Sequence, residues 1–434
     1  MKPVAASTVP LSLLGRRTAP PDIARLMTMA LEQPGLLSLA AGFTDNRTLP
    51  VAAVQAAVEA LAARPGEPEF LQYGLNQGRP QLRRLLAARL AAMEPTLNAG
   101  QLERRLFVTN GSQQALYLAI QTLCDPGDIV LVDRPSYFVF LELLTGLGVR
   151  AVSLPVDRHG LIDAAAFDAR LAELERAGKS GRVKAVYFVS YFSNPSGHSL
   201  AEAEKSAVAA ALSRHGLIVP VIEDAAYREL YFEQPHAARS VLELEAWREF
   251  PRLYLSTFTK PFASGLKVGW GVCTDDAWLA AMVNAKGHHD FGTANFNQAI
   301  CEHILAGGVF DLHLKKIRPA YAGKMRALHG ALESAGLGAG GWRWAVPGGG
   351  IYLWLEAPRD LDTGLESAFC RACIEAGVLY VPGALCFGDD VPKNFARLSF
   401  GVLGEAGLQE ASRRFVSVAQ RFALGTSSNS RGPS

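Results

Sequence analysis

Short apolar runs alternate with helical patterns through the middle of the chain. Seven such runs occupy residues 106–109, 129–132, 151–154, 185–190, 217–222, 253–257 and 268–273. Strands that helices cover on both faces lack the polar alternation of half-exposed strands, and these runs lack it too. The pattern therefore predicts a three-layer α/β/α domain around a mostly parallel, seven-stranded sheet.

The flanking regions have a different texture. Apolar residues recur at helical spacing over 51–63 and 79–93, ahead of the first strand. Beyond residue 311 helical patterns dominate, with strand patterns at 350–355 and 396–400, which indicates a smaller α+β domain. We expect an N-terminal arm at 1–50 that joins the smaller lobe, a large domain at 51–310, a small domain at 311–424 and a disordered Ser/Gly/Pro-rich tail at 425–434.

Composition narrows the class of partner. The 434 residues are 49% hydrophobic and 19% charged, with a net charge of +2. This balance suits a globular protein of two lobes and offers no electrostatic footprint for nucleic acid or an anionic membrane. We therefore expect a small-molecule partner, with no nucleic acid and no membrane.

The six cysteines indicate a reducing compartment. They are scattered along the chain, and several lie in apolar runs, so we expect buried thiols. Cys370 and Cys373 form a C-x-x-C pair in a helical stretch, but no second pair completes a metal site, and no metal is expected. The first residues make a poor signal peptide, and no apolar run of about 18 residues occurs, so the cytoplasm is the expected location.

Polar residues follow several of the predicted strands, where ligands of open α/β sheets bind. Ser112 opens a helix after a Gly turn, which favours either an anion site or an ordinary helix cap. Asn194 lies in an Asn-Pro-Ser-Gly turn, where its amide faces the cleft or belongs to a plain loop.

Asp224 and Lys260 carry the most specific chemistry. A carboxylate at a strand end is costly to bury without a cation, and a protonated pyridine nitrogen is such a partner. A helix-capping or metal-binding Asp is the alternative for Asp224, while its neighbour Glu223 should point the other way and be structural. Lys260 follows a strand end and two hydroxyls, which suits a Schiff-base nucleophile. Its competitors are Lys267 and a plain surface role.

Taken together and in this order, these residues resemble the fold-type I pyridoxal 5'-phosphate (PLP) enzymes, in particular the class I aminotransferases typified by aspartate and α-aminoadipate aminotransferases. The resemblance runs over residues 36–400. It rests on Gly42, the segments 72–83, 110–114, 135–137, 194–197, 224–227 and 397–400, and Lys260.

The resemblance implies a role for each matching residue. Lys260 holds PLP as a Schiff base and moves a proton, Asp224 pairs with the pyridine nitrogen, and Asn194 and Tyr227 bind the phenolic oxygen. Arg397 clamps the substrate α-carboxylate. The remaining implied contacts are Tyr137 stacked on the ring, Gly42 and the arm residue Arg25 at the substrate, and Ser112, Gln113, Thr257, Thr259, Lys267 and the Tyr73 of a neighbouring subunit at the phosphate.

Three positions depart from the family pattern, which puts local geometry in doubt. Lys267 replaces an arginine and should grip the phosphate less tightly because it lacks a bidentate fork. Ser264 replaces a proline, and Pro261 directly follows Lys260. The His-His-Asp cluster at 288–290 lines the cleft or, as we favour, forms a capped surface turn.

The function implied is transfer of an amino group from an amino acid to a 2-oxo acid by a ping-pong mechanism in a homodimer. Other PLP chemistry on the same scaffold (lyase, decarboxylase or oxidase) is the alternative. A ligand-sensing regulator with an aminotransferase-like domain is a third possibility. It is disfavoured because only about 35 residues precede the resemblance, too few for a winged helix.

Overall fold

The computed structural model describes residues 9–18, 20, 28, 32, 33, 35–64, 66 and 68–428, with side chains to residue 423. The helices are α1 (Leu13–Arg17), α2 (Val51–Ala62), α3 (Pro80–Met93), α4 (Ala99–Arg105), α5 (Gly111–Leu123), α6 (Phe138–Leu147), α7 (Ala164–Arg176), α8 (Glu202–Arg214), α9 (Asp276–Asp290), α10 (Asn295–Ala306), α11 (Val309–Ser334), α12 (Ala368–Glu375) and α13 (Glu405–Ser428). The strands are β1 (Leu37–Ser38), β2 (Leu106–Asn110), β3 (Ile129–Val132), β4 (Arg150–Ser153), β5 (Val183–Val189), β6 (Val221–Asp224), β7 (Arg252–Thr257), β8 (Val268–Cys273), β9 (Arg343–Trp344), β10 (Tyr352–Glu356), β11 (Val378–Leu379), β12 (Val381–Pro382) and β13 (Phe395–Ser399).

A seven-stranded sheet forms the centre of the molecule, as the apolar runs predict. Its strand order is β2-β8-β7-β6-β5-β3-β4. Only β8 runs antiparallel to its neighbours β2 and β7. Separate hydrophobic clusters cover the two faces, one including Phe167 of α7 and Leu212 of α8 and the other Leu116 of α5 and Ile300 of α10. The three-layer α/β/α architecture is confirmed.

A smaller antiparallel sheet with the order β12-β13-β10-β9 lies in the C-terminal part of the chain. Strand β1 of the N-terminal arm pairs in parallel with β11, so the arm is built into this part of the structure. Asp45 of the arm is buried and bridges to Lys324 of α11, with 2.6 Å between the charged atoms. These contacts agree with an arm that belongs to the smaller lobe, while the boundaries at 50 and 310 stay predictions.

Two element boundaries differ from the prediction by more than two residues. The run at 217–222 forms a strand only from Val221 to Asp224, because Pro220 has no N–H to donate to the ladder. Asp224 is the last residue of β6, at a strand end as the sequence predicts. A disordered tail was expected from residue 425, but helix α13 continues to Ser428. Gly and Ser residues do not prevent this, because each costs a helix at most about 1 kcal/mol. Residues 429–434 lie outside the described part.

Candidate active site

The carboxyl end of β6 presents the side chain of Asp224 to the cleft. The carboxylate is almost fully buried and accepts hydrogen bonds from the backbone N–H of Ala226 at 2.9 Å and the Tyr187 hydroxyl at 3.4 Å. Burial raises the pKa of Asp224 to about 6. The described residues supply no lysine or arginine in ion-pair contact with it, so the site is suited to a cationic ligand group.

Lys260 extends from the loop after β7 into the same cleft. Its Nζ donates to the carbonyl oxygen of Gly42 at 2.7 Å and lies 5.9 Å from the ring centre of Tyr227. Tyr227 follows β6 by three residues and is buried. Lys260 thus contacts the N-terminal arm on one side and faces Tyr227, in the loop after β6, on the other.

Arg397 connects the small sheet to the large one. It lies on β13 with 1% of its surface exposed. One guanidinium nitrogen donates to Asn194 Oδ1 at 2.8 Å and the other to the Ala40 carbonyl oxygen at 2.6 Å. The Arg397 Nε is buried and has no hydrogen-bond partner among the described residues. A planar cation with donors left over is suited to a carboxylate ligand.

The N-terminus of α5 forms the other end of the cleft. No side chain caps its first turn, so the backbone N–H groups beginning at Gly111 are open to an anion. Strand β8 approaches closely: a methyl group on Gly269 would lie 2.4 Å from the nitrogen of Ser112. The hydroxyl of Thr259, which accepts a 2.8 Å hydrogen bond from Thr257, faces Gly111.

Asp290 holds this helix start in place, a role that the sequence reading missed. Its carboxylate accepts hydrogen bonds from Asn110 Nδ2 at 3.0 Å and Gln114 Nε2 at 2.9 Å. It also pairs with the buried Lys286 at 3.0 Å. The surface turn favoured for 288–290 is wrong for Asp290: helix α9 continues to this residue, while His288 and His289 remain exposed.

The structure brings most of the predicted residues into one cleft and leaves others outside it. Tyr137 belongs to the cleft, because the groups that act on its pKa include three cleft residues: burial raises it most, Tyr352 and Asp224 raise it further, and Arg397 lowers it. Tyr73 is 82% exposed and packs edge-on against the ring of Phe291. Three further predicted residues lie outside these contacts. The Gln113 side chain makes no hydrogen bond with the described residues, Lys267 is exposed just before β8 with a φ of 54°, and Arg25 lies outside the described residues.

Tyr352 is the most prominent residue that sequence reasoning missed. It lies on β10, and its hydroxyl is 3.1 Å from that of Tyr227. Its ring faces the guanidinium of Arg397 at 4.3 Å. The only signal in the sequence was its place in a predicted strand, which indicates burial but not a neighbour. Asp133 was also missed: it is buried at the end of β3, and burial raises its pKa to about 7.

The cleft fits PLP. A buried carboxylate without a cation suits a protonated ring nitrogen, uncapped helix N–H groups suit a phosphate, and Lys260 supplies an amine in the same cleft. Within the described residues, no group of three His, Cys, Asp or Glu side chains could hold a metal ion. No helix in the same part of the chain has the length and apolar character needed to cross a membrane.

Comparison with known proteins agrees with this geometry. The model of the family "Aminotransferase class I and II" matches residues 34–415. Aromatic-amino-acid aminotransferase 1 of Thermococcus litoralis is 30% identical over 393 residues, which cover 90% of each chain.

Two solved structures extend the comparison. The kynurenine aminotransferase of Pyrococcus horikoshii superposes with a TM-score of 0.84 at 28% identity, over 95% of this chain and 97% of that one. The α-aminoadipate aminotransferase of Thermus thermophilus, solved with N-(5'-phosphopyridoxyl)-L-leucine, has a TM-score of 0.79 at 28% identity, over 96% and 98% of the two chains. The predicted family, cofactor and activity are confirmed: the chain belongs to the class I and II aminotransferases and is a PLP-dependent aminotransferase of amino acids.

Proposed function

We propose that Lys260 is the residue that binds PLP covalently and that Asp224 holds the ring nitrogen. The observation that carries this assignment is the meeting of an amine and an unpaired, buried carboxylate at the ends of adjacent strands β6 and β7. When bound, PLP supplies an electron sink for the electrons released at the substrate Cα. An ionised Asp224 keeps that sink effective by holding the ring nitrogen protonated.

The other residues of the cleft bind and orient the cofactor and the substrate. Tyr227 and Asn194 donate hydrogen bonds to the phenolic oxygen of the cofactor, and Tyr137 packs on its ring. Lys260 Nζ, once free of the cofactor, accepts and returns the substrate Cα proton. We assign the phosphate to the start of α5, with Ser112, Gln113, Thr257, Thr259 and Lys267 around it.

Arg397 selects the substrate class in this proposal. Its Nε and the remaining guanidinium hydrogens bind the α-carboxylate of an amino acid, beside Gly42 and Asn194. The enzyme would then work in two half-reactions, releasing a 2-oxo acid before the second one binds. The relatives are named for aromatic, kynurenine and aminoadipate substrates, so we propose aromatic or long-chain amino acids as donors, with Arg25 of the arm near the distal end.

Borohydride reduction followed by peptide mapping tests the covalent assignment. The label should fall on Lys260, and Lys260→Ala should lose it, whereas Lys267→Ala should keep it. A label on Lys267 overturns the assignment.

Incubation with 2-oxoglutarate and a panel of amino acids tests the reaction. Release of ammonia or CO2 without dependence on the oxo acid would favour lyase or decarboxylase chemistry instead.

We also propose a homodimer in which Tyr73 reaches the phosphate of the partner subunit. Tyr73 and Phe291 form an exposed aromatic pair, and Tyr73 lines a surface hollow of about 750 Å³ with Glu69, Arg79 and Asn295. Large exposed aromatic surfaces of this kind mark interaction sites.

Six free cysteines, five of them buried, support a reducing cytoplasmic location.

Mixing two inactive variants tests the composite site. Chains with Lys260→Ala and chains with Tyr73→Ala are unfolded together and refolded as mixed dimers. If Tyr73 acts across the interface, each mixed dimer contains one intact site and activity returns to about a quarter of wild type, by statistical pairing of equal amounts. If Tyr73 acts within its own chain, no intact site forms and the activity is about half that of the Tyr73→Ala variant alone, because the other half of the chains lacks Lys260.

A further inference from the structure

The hydroxyl of Tyr352 adds a second phenol to the proposed cofactor site. Tyr352 has 1% of its surface exposed, and its hydroxyl oxygen lies 3.1 Å from that of Tyr227. The two rings meet edge to face with their centres 5.8 Å apart. Among the described residues the hydroxyl of Tyr227 is the only hydrogen-bond partner of the Tyr352 hydroxyl, so one of the two must be the donor and the other the acceptor.

The proposed function fixes that role. Each phenol has one hydrogen, and Tyr227 uses its own if it donates to the phenolic oxygen of the cofactor. Tyr352 is then the donor of the hydrogen bond between the two residues. Burial raises the pKa of Tyr227 well above its usual range. Tyr227 is consequently protonated at neutral pH and able to donate.

Three residues border the pair formed by Tyr227 and Tyr352. A methyl group on Gly42 would lie 2.6 Å from the hydroxyl oxygen, so the arm backbone closes one side. The guanidinium of Arg397 lies 4.3 Å over the ring of Tyr352, and Lys260 Nζ lies 5.9 Å from the ring of Tyr227. Two cations thus border the pair, and Tyr137 and Asp224 are the other ionisable groups nearby.

We propose that Tyr352 is a positioning residue that donates to Tyr227 and thereby aims the Tyr227 hydroxyl hydrogen at the cofactor's phenolic oxygen. This inference rests on the proposed function. A phenol that accepts one hydrogen bond becomes a stronger donor of the next. Donation to the phenolic oxygen favours loss of the proton that this oxygen shares with the Lys260 nitrogen. Tyr352 should therefore lower the pH at which bound PLP changes its absorbance.

Spectrophotometric pH titration of the holoenzyme tests the proposal with Tyr352→Phe, which keeps the ring over Arg397. We expect the midpoint of the absorbance change to rise by about half a pH unit, the size of a cooperative contribution to one charge-assisted hydrogen bond. KM for the amino acid should stay within about twofold, because the contact between the Tyr352 ring and Arg397 remains. Tyr380→Phe, which removes another buried hydroxyl that donates to the Thr363 carbonyl oxygen at 2.7 Å, should leave the midpoint unchanged.

A double variant distinguishes action through Tyr227 from direct action on the cofactor. In Tyr227→Phe, adding Tyr352→Phe should produce no further shift of the midpoint, and this result supports the proposal. An unchanged midpoint in the single Tyr352→Phe variant, or a full additional shift in the double variant, overturns it. If the label of the wild-type holoenzyme maps to Lys260 but Tyr352→Phe has the same midpoint as the wild type, only this inference is refuted. A chain without the Lys260 label refutes the proposed function as well.

Discussion

Glu223 and Asp224 are consecutive residues of β6, and their carboxylates serve opposite faces of the sheet. Glu223 points away from the cleft to Lys205, 2.7 Å between the charged atoms, with both side chains fully buried. Asp224 points into the cleft without a cationic partner among the described residues. The alternation of side chains along a strand thus separates a structural ion pair from a binding group.

The first prediction concerns Asp224→Asn in the cofactor-free protein. Burial raises the pKa of Asp224 to about 6, whereas an unfolded aspartate titrates near 4. The folded state therefore binds this proton more tightly, and wild-type stability falls as the pH rises from about 4 to 6 and stays reduced above that range. Asparagine carries no charge, so at pH 8 the variant should be more stable, by up to about 3 kcal/mol. Urea unfolding at pH 5 and pH 8 measures the difference.

Activity of the same variant should change in the other direction. With PLP bound, loss of the Asp224 carboxylate should lower kcat/KM on the order of a hundredfold. Asp133, whose pKa burial raises to about 7, titrates in both proteins and remains a common background. Equal pH dependence of unfolding in wild type and variant would show that Asp224 is not the group responsible.

The second prediction concerns the ion pair behind β6. Lys205→Met leaves Glu223 buried, and among the described residues only Ser190 and Val241 still donate hydrogen bonds to it. An uncompensated buried charge should lower the free energy of unfolding by about 3–5 kcal/mol. Adding Glu223→Gln, which removes that charge, should recover most of the loss. Chemical denaturation of the single and double variants measures both effects, and a loss below about 1 kcal/mol for Lys205→Met contradicts the argument.

The strand exits were predictable from sequence because each lies directly after a continuous apolar run. Asp224 ends β6, Asn194 follows β5 and Lys260 follows β7, and the parallel arrangement brings these strand ends together. The family resemblance added what periodicity cannot supply, namely the role of each residue. A proline shifted β6 by several residues without moving Asp224 away from the edge of the sheet.

Contacts between distant elements were not predictable in the same way. Tyr352 meets Tyr227 across 125 residues of sequence, and Asn110 meets Asp290 across 180. In both cases the local pattern indicated only a strand or a polar cluster. Which side chains then touch depends on how two sheets and a helix pack against one another. The local pattern of hydrophobic residues does not encode that packing.

The third prediction concerns Asp290, which orients the start of α5. Asp290→Asn replaces one acceptor oxygen by a donor, although Asn110, Gln114 and Lys286 all donate to this carboxylate. At least one of them loses its partner, and the backbone N–H groups proposed to bind phosphate become less well ordered. The dissociation constant for PLP should rise about tenfold. Titration of the cofactor-free protein by absorbance measures it.

A matched substitution at the other end of the same helix provides the control. Asp276 begins α9 and has an 82% exposed side chain, so Asp276→Asn should leave the PLP dissociation constant within about twofold. Were Asp290→Asn to lower the free energy of unfolding without weakening PLP binding, its role would be purely structural.

The last prediction concerns the close approach of Gly42 and Tyr352. A methyl group at residue 42 would lie 2.6 Å from the Tyr352 hydroxyl oxygen but 3.7 Å from the ring carbon that bears it. Gly42→Ala should therefore displace the hydroxyl from Tyr227 and disturb the carbonyl oxygen that accepts from Lys260, lowering kcat/KM about tenfold. Steady-state kinetics with a good donor amino acid measures this loss.

Removing the colliding atom should reverse most of the loss from Gly42→Ala. In Gly42→Ala combined with Tyr352→Phe, the methyl group meets only the ring at an ordinary contact distance, so the arm can return to its position over Lys260. The double variant should then have a kcat/KM within about threefold of Tyr352→Phe alone, a coupling of close to 1 kcal/mol. Additive losses would mean that Gly42 is required for another reason, such as direct contact with the substrate, and that the steric argument is wrong.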